Sequence, residues 1–353
     1  MLKRWLQTIT LTDVVVWAIG LIIGIAVIYG SIVTLRADIY STTQWIDLII
    51  GGLKLGGIYA LIALGYTLVY GILRMINFAH SEVFMAGPFT AVFLAKFLHA
   101  QGFYNDQPVI SLLLITILSA GVSMGIALML ERIAYRPLRN APRLVPLITA
   151  IGASFFLQYT FRGLYGNDLE SYPTMKVLQG KLSLGIIQIQ RADLLVIIAA
   201  FIMMMLLYII VQYTKMGKAM RSVSEDKETA ALMGIDVDKI IVSTFALGGA
   251  SAGIAGILYV LIFNTAHFYM GFIPGLKAFT AAVLGGIGNV PGAWLGGMIL
   301  GLLESLGPNL FLTGLGVPAV NQLKDAIAFT VLVLILIFRP TGLLGERLSK
   351  AKA

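Results

Sequence analysis

The stretch ILRMINFAHSEVFMAG, residues 72–87, places Arg74, Asn77, His80 and Glu82 within nine positions, between two apolar runs. Its surroundings decide how it is read. Of the 353 residues, 58% are hydrophobic and 12% are charged. Soluble domains carry about a quarter charged residues, so this chain lacks the polar surface to face water all round. Lipid must be the solvent for most of it. Apolar segments fall near 14–35, 46–73, 77–99, 109–130, 144–165, 192–213, 240–263, 275–289, 293–306 and 324–338. A membrane helix needs about 20 such residues. The eighth and ninth segments are short, and the breaker cluster Asn289-Val290-Pro291-Gly292 joins them. They read as two tilted spans or one re-entrant hairpin, and either returns the chain to the same side. The sequence therefore predicts an all-α polytopic bundle of about 8–10 transmembrane segments, two of them broken or re-entrant.

Charge gives an orientation. With the N-terminus inside, the loops 131–143 (Arg132, Arg136, Arg139, Arg143) and 214–239 (Lys215, Lys218, Arg221, Lys227, Lys239) fall in the cytoplasm. So does the tail, with Arg339, Arg347, Lys350 and Lys352. The loops 100–108, 264–274 and 307–323 contain no Lys or Arg and fall outside, while 166–191, with Lys176, Lys181 and Arg191, is the exception. Both termini are expected in the cytoplasm. Lys3 and Arg4 precede a first apolar run that is long for a signal peptide, and it reads as a retained span. The net charge of +8 fits cationic cytoplasmic loops rather than nucleic acid.

Several chemistries are excluded. Without cysteine there is no disulfide or thiolate metal site, and His80, His99 and His267 have no metal-pair spacing. No metal site and no catalytic residue is expected. There is no G-x-x-x-x-G-K-[ST] loop, so energy for uphill transport must come from a partner or an ion gradient. GASAG, residues 249–253, matches a nucleophile motif around Ser251, but inside an apolar segment Gly249 and Gly253 read as a helix-packing pair. Gly20/Gly24, Gly52/Gly56, Gly121/Gly125, Gly292/Gly296 and Gly297/Gly301 share that spacing.

Lys54, Glu82, Arg162, Lys277 and Glu304 are ionisable groups at membrane depth and hence functional candidates. Lys54 and Lys277 are expected to snorkel to an interface. His80 and Glu82, two apart, do not share a helix face. At a helix start Asn77 is placed to cap, with Glu82 in the early turns, and this stands beside a role in the solute path. FTAAVLGGIGNVPGAWLGG, residues 279–297, is a second glycine-interrupted membrane stretch. Discontinuous helices at matching positions in two halves mark transporter solute sites. The expected path residues are Asn77, His80, Glu82, Gly285, Gly286 and Gly288. The loop 214–239, five basic and five acidic residues, reads as a short amphipathic helix with Ala230, Ala231, Leu232, Met233 and Ile235 on one face. It is a docking surface or a solvated connector.

Four blocks carry a resemblance: YALIALGYTLVYGILRMINFAHSEVFMAG, ERIAYRPLRNAPRLVPLITAIG, GFIPGLKAFTAAVLGGIGNVPGAWLGGMILGLLESLG and FRPTGLLG. From about 46 to 346 the chain resembles the inner-membrane permease subunits of bacterial branched-chain amino acid ABC importers. Urea-importer permeases share the INFAH-like and AVLGGIG-like blocks, and a urea or amide importer is the alternative. The resemblance implies two inverted repeats, a second permease (a related chain or a second copy), two cytoplasmic ATPases that use ATP and magnesium, a periplasmic binding protein, and no cofactor on this chain. It implies a permease domain at 46–346, with 1–45 as an added tail and span and 347–353 as a cytoplasmic tail. It also turns the 214–239 loop into an ATPase coupling loop: Glu228, Thr229, Ala230 and Gly234 keep the E-A-A-x-x-x-G spacing, with Thr for the first Ala. The Ile-x-Leu-Pro that follows in the general motif is not evident in IIVSTFALGG. An ion-coupled secondary transporter would need more core carboxylates, and a hydrolase would rest on Ser251 alone.

Overall fold

A computed structural model of the chain describes residues 11–345 apart from Asn140, Arg143 and Ile186. Lys3, Arg4, the tail 347–353 and the cation Arg143 lie outside the described residues. The described chain runs α1 (Leu11–Arg36), α2 (Thr42–Leu73), α3 (His80–Ala100), α4 (Phe103–Asp106), α5 (Pro108–Leu130), α6 (Leu144–Tyr165), α7 (Arg191–Tyr213), α8 (Lys215–Glu225), α9 (Lys227–Leu232), α10 (Val237–Phe263), α11 (Phe272–Gly285), α12 (Val290–Gly307) and α13 (Lys324–Phe338). Among the described residues nine helices are long and apolar enough to cross a membrane, and Phe272–Gly285 is a shorter apolar helix. The chain is a multi-pass, all-α membrane bundle. The ninth apolar segment is longer than the sequence suggested. It continues from Val290 through a π turn, Pro308–Leu312, and is a full span.

Glycine sets the closest approaches. A Cβ on Gly301 would lie 2.3 Å from Gly56 Cα, and one on Gly297 would lie 2.5 Å from Ala60 Cα, so α2 and α12 run backbone to backbone. Gly249 and Gly253 press on Ser119, Ser123 and Met124 of α5 in the same way, and Ser251 Oγ donates to the Gly248 carbonyl at 2.8 Å. That serine bonds its own helix, as a packing residue does. Gly121 and Gly125, with the same spacing, meet nothing within 4 Å. α1 leans on the bundle through Gly30, against the Phe311 carbonyl, and leaves Trp17, Leu21 and Ile22 exposed.

α11 and α12 form an antiparallel hairpin, with Gly285 on Gly292 and Gly296 on Ala281. Its turn uses Gly286 and Gly288, at φ of +106° and +98°, values that favour glycine. The following segment closes over it: Leu343 N–H donates to the Leu284 carbonyl at 2.8 Å and Leu344 N–H to the Gly285 carbonyl at 2.9 Å. The turn lies at the end of the bundle that carries the basic loops, here called the basic end. At the opposite end the loop between α6 and α7 holds three short strands: β1 (Glu170–Ser171) pairs with β4 (Thr265–Ala266), which follows α10, and β2 (Lys181–Leu184) pairs with β3 (Ile187–Gln190).

Lys277 does not snorkel. Its side chain is 6% exposed, with Nζ 2.7 Å from Glu304 and 2.6 Å from Asp325. The cation ties α11, α12 and the first turn of α13 together. Burial makes this an obligate pairing, since a charge stranded away from water is costly. Removing it in Lys277→Met should destabilise the fold by about 3–5 kcal/mol, read as a large drop in thermal unfolding temperature in detergent. Ser251→Ala should leave that temperature almost unchanged.

Candidate functional site

The polar stretch that opened the sequence is where regular structure stops inside the bundle. α2 ends at Leu73, and its C-cap Arg74 takes a left-handed φ of 55°, with its guanidinium donating to the Ser224 carbonyl of α8 at the basic end. Six residues later the chain is deep in the molecule. The His80 ring lies against Gly65, where a Cβ would sit 2.0 Å from Nε2, and beside Gly248, whose Cβ would sit 3.8 Å from the ring. Gly248 is about 16 Å along the 27-residue α10, which is about 40 Å long. Residues 74–79 thus climb through the lower part of the bundle as non-helical chain, and α3 starts near mid-depth.

The start of α11 meets the start of α3 there. A Cβ on Gly271 would lie 2.1 Å from the Ser81 carbonyl oxygen, and one on Gly275 would lie 2.3 Å from Ser81 Cβ. The two helices point away from each other, with their N-terminal ends together. Helix N-termini carry partial positive charge. A carboxyl group lies in the first turn of α3. Glu82, third residue of α3, is fully buried, and its Oε1 accepts from Gln158 Nε2 at 2.7 Å and Ser154 Oγ at 3.1 Å. The Ser81 hydroxyl lies 3.2 Å from the same oxygen but nearer, at 2.7 Å, to the Phe78 carbonyl. Oε2 has no hydrogen-bond partner, and neither has His80 Nε2. No cation is paired with Glu82 among the described residues. Its polar partners are hydrogen-bond donors on α6 and the N-terminal turn of its own helix.

Asn77 does not cap α3. The cap position is Ala79, without a side-chain bond, and Asn77 Oδ1 accepts from the Tyr135 hydroxyl at 2.5 Å. Tyr135, fully buried, closes a π turn, Glu131–Tyr135, that extends α5. Arg139 of the following turn bonds both Glu131 and Asp238, and Arg136 Nη2 lies 2.9 Å from Asp238, which fixes this turn to the first turn of α10. The expected path residues form two groups. Asn77, His80 and Glu82 share the interior break. Gly285, Gly286 and Gly288 form the hairpin turn at the basic end, where Gly288 faces Gly71, six residues and about 9 Å along α2 from Gly65. Ser154, Gln158 and Tyr135 were missed. Ser154 and Gln158, four apart on an apolar helix, were the available signal.

The loop 214–239 is two helices, not one. Thr214 caps α8, accepting from the Gly217 N–H, and Asp226 caps α9, with Oδ1 accepting from the N–H of Glu228 at 2.9 Å and of Thr229 at 3.1 Å. Gly234 ends the unit at φ +82°. The apolar residues divide: Ala230 is buried, whereas Leu232 and Met233 are 88% and 78% exposed. No other large hydrophobic side chain among the described residues is as exposed. Burial, then the like charges of Arg139 and Arg74, holds the Lys227 ammonium below the usual lysine range. Lys227, Arg139 and Arg74 thus lie close enough at this end of the bundle for their charges to repel.

No cluster of three or more potential metal ligands occurs among the described residues.

Fold and site together define an integral membrane protein with two passes interrupted at depth and a helical platform at one end. The family model described as branched-chain amino acid transport system / permease component matches residues 48–336, and the chain belongs to this family. It is 39% identical to the high-affinity branched-chain amino acid transport system permease protein BraD of Pseudomonas aeruginosa over 306 residues, 86% of this chain and 96% of that one. It is 39% identical to the permease LivH of Escherichia coli K12, over 84% of this chain and 94% of that one. The probable branched-chain amino acid transport permease LivH of Methanocaldococcus jannaschii is 26% identical over 316 residues. No solved structure gives a significant match.

His80 occupies space that only glycine at position 65 leaves open. Gly65→Ala should drive the ring out and cost about 1–3 kcal/mol, measured as thermal stability in detergent. Gly163→Ala, at a helix position with nothing within 4 Å, is the neutral control.

Proposed function

We infer that this chain is the permease subunit of an ATP-binding-cassette importer of branched-chain amino acids in a bacterial inner membrane. It is a non-catalytic membrane half that pairs with a second permease, related or identical. Two cytoplasmic ATPases supply the power stroke with ATP and magnesium, and a periplasmic binding protein delivers the solute. The family membership, with relatives aligned over nearly their whole length, is the observation that carries the reading. The basic end is then cytoplasmic, and both termini are inside. Residues 46–346 form the permease body, built as two related halves, and 1–45 add one span.

α8 and α9 are the coupling element. Glu228, Thr229, Ala230 and Gly234 shape it: the capped turn is rigid, Ala230 seats it on the bundle, and Gly234 turns the chain into α10. Leu232 and Met233, the most exposed large apolar side chains among the described residues, are the knobs that enter the ATPase. Force applied here reaches Arg74 through its bond to Ser224, and Arg74 begins the unwound segment. Asn77, His80 and Glu82 then sit where alternating access opens and closes, and the turn at Gly285, Gly286 and Gly288 moves at the cytoplasmic mouth.

The test is reconstitution of the complex in vesicles with its binding protein, followed by uptake of labelled leucine, isoleucine and valine. ATP-dependent uptake is expected, and urea should not compete. Leu232→Asp combined with Met233→Asp should lower uptake at least about tenfold, since burying unpaired carboxylates at an interface costs more than 1.4 kcal/mol. Membrane levels of the permease should be unchanged. Full uptake by the double variant would remove the coupling role from these residues.

A further inference from the structure

At the end opposite the coupling helices a cavity of about 380 Å³ opens between α2, α7, the end of α10 and the loop that precedes β2. That is within the size range of small-molecule sites, roughly 300–1,000 Å³. Its lining divides by chemistry. Lys54 of α2 and Asp193 of α7 both reach it, with Nζ 2.9 Å from Oδ1. The two side chains are 22% and 11% exposed, so each is largely desolvated and still accessible from the cavity. Apolar wall is supplied by Met175, Leu178, Leu261 and Ile262.

The ion pair is unusual in its setting. Lys54 is twelve residues into α2, in a helix otherwise free of cations, and its counter-charge comes from the N-terminal turn of a separate helix. Lys54, expected to snorkel to an interface, reaches this cavity at the end of the bundle, beside the loop residues 172–181. An ammonium has three N–H donors and a carboxylate can accept several bonds. The bond between them uses one of each, and both groups can take a second partner of opposite sign. A ligand matched to this floor has one anionic and one cationic group a few ångströms apart, and an apolar remainder to lie on the wall. That is a free α-amino acid with an aliphatic side chain.

We propose that this cavity is a second amino-acid site, within one permease chain and on the face that receives solute, where Lys54 holds the carboxylate and Asp193 the ammonium of an aliphatic amino acid. It is separate from the interior break at Glu82. The site gives solute a weak holding place before it enters the path. The choice of an aliphatic amino acid, over another zwitterion, rests on the import reading above.

The experiment is equilibrium binding of labelled leucine to the intact permease complex in lipid nanodiscs, with the soluble binding protein removed. Saturable binding is expected in the wild type. Lys54→Met should weaken it about tenfold or more, as loss of a charge-assisted hydrogen bond does. Thr174→Trp, which fills the cavity from an exposed loop position and touches neither charge, should weaken it comparably. This second variant keeps the test open if Lys54→Met fails to fold. The one-charge analogues 4-methylpentanoate and isopentylamine should not compete. Absent binding in the wild type, binding unchanged in both variants, or competition by either analogue equal to that of leucine would each overturn the site. ATP-dependent uptake by the same wild-type preparation, with binding protein restored, tests the import reading independently. Uptake without the cavity's binding overturns the site alone, and absent uptake overturns the import reading.

Discussion

Chain that leaves the helix at membrane depth has no water to satisfy its N–H and C=O groups, so it must be wrapped in protein. The segment from Arg74 to Ala79 meets this condition through its neighbours. α2 and α10 flank it with glycines, Gly65 and Gly248, so that His80 fits where a side chain would stand. The π turn after α5 brings Tyr135 to Asn77, and α11 covers Ser81 with Gly271 and Gly275. Glu82 can be buried because Ser154 and Gln158 of α6 donate to it and it lies in the first turn of its own helix.

The same glycines explain why the bundle is dense where it is. Between apolar helices in lipid there is little hydrophobic gain from association, so packing and hydrogen bonds must hold them. α2 and α12 come together along Gly52, Gly56, Gly297 and Gly301. By contrast Gly121 and Gly125 carry the same spacing, and a Cβ on either would meet nothing within 4 Å among the described residues. Spacing alone therefore cannot separate a buried seam from a face left to lipid or to another subunit.

Most of the architecture was legible because it follows from length and polarity alone. The spans, the basic loops and the polar interruption at 72–87 all appear in the sequence, and the interior placement of His80 and Glu82 follows from them. What was hidden depends on partners distant in sequence. Lys277 looks like a snorkelling residue until Glu304 and Asp325 are placed beside it, 27 and 48 positions away. Asn77 looks like a cap until Tyr135 claims it. The glycines at 285–288 read as a break at depth but make a turn at the basic end, because nothing local says how far the chain has travelled. The mid-depth start of α11 has a weak mark, Gly271 and Gly275, four apart. The exposure of Leu232 and Met233 was obscured by treating two capped helices as one amphipathic face.

The carbonyls at the end of α11 are orphans by helix geometry, and Leu343 and Leu344 supply the missing donors. The helix is finished by residues that follow α13, more than fifty positions downstream. In synthesis order the hairpin emerges incomplete and is sealed only when the final described segment arrives. Any shift of the Gly286 turn must carry that segment and the foot of α13 with it, so these three pieces travel as a single plate.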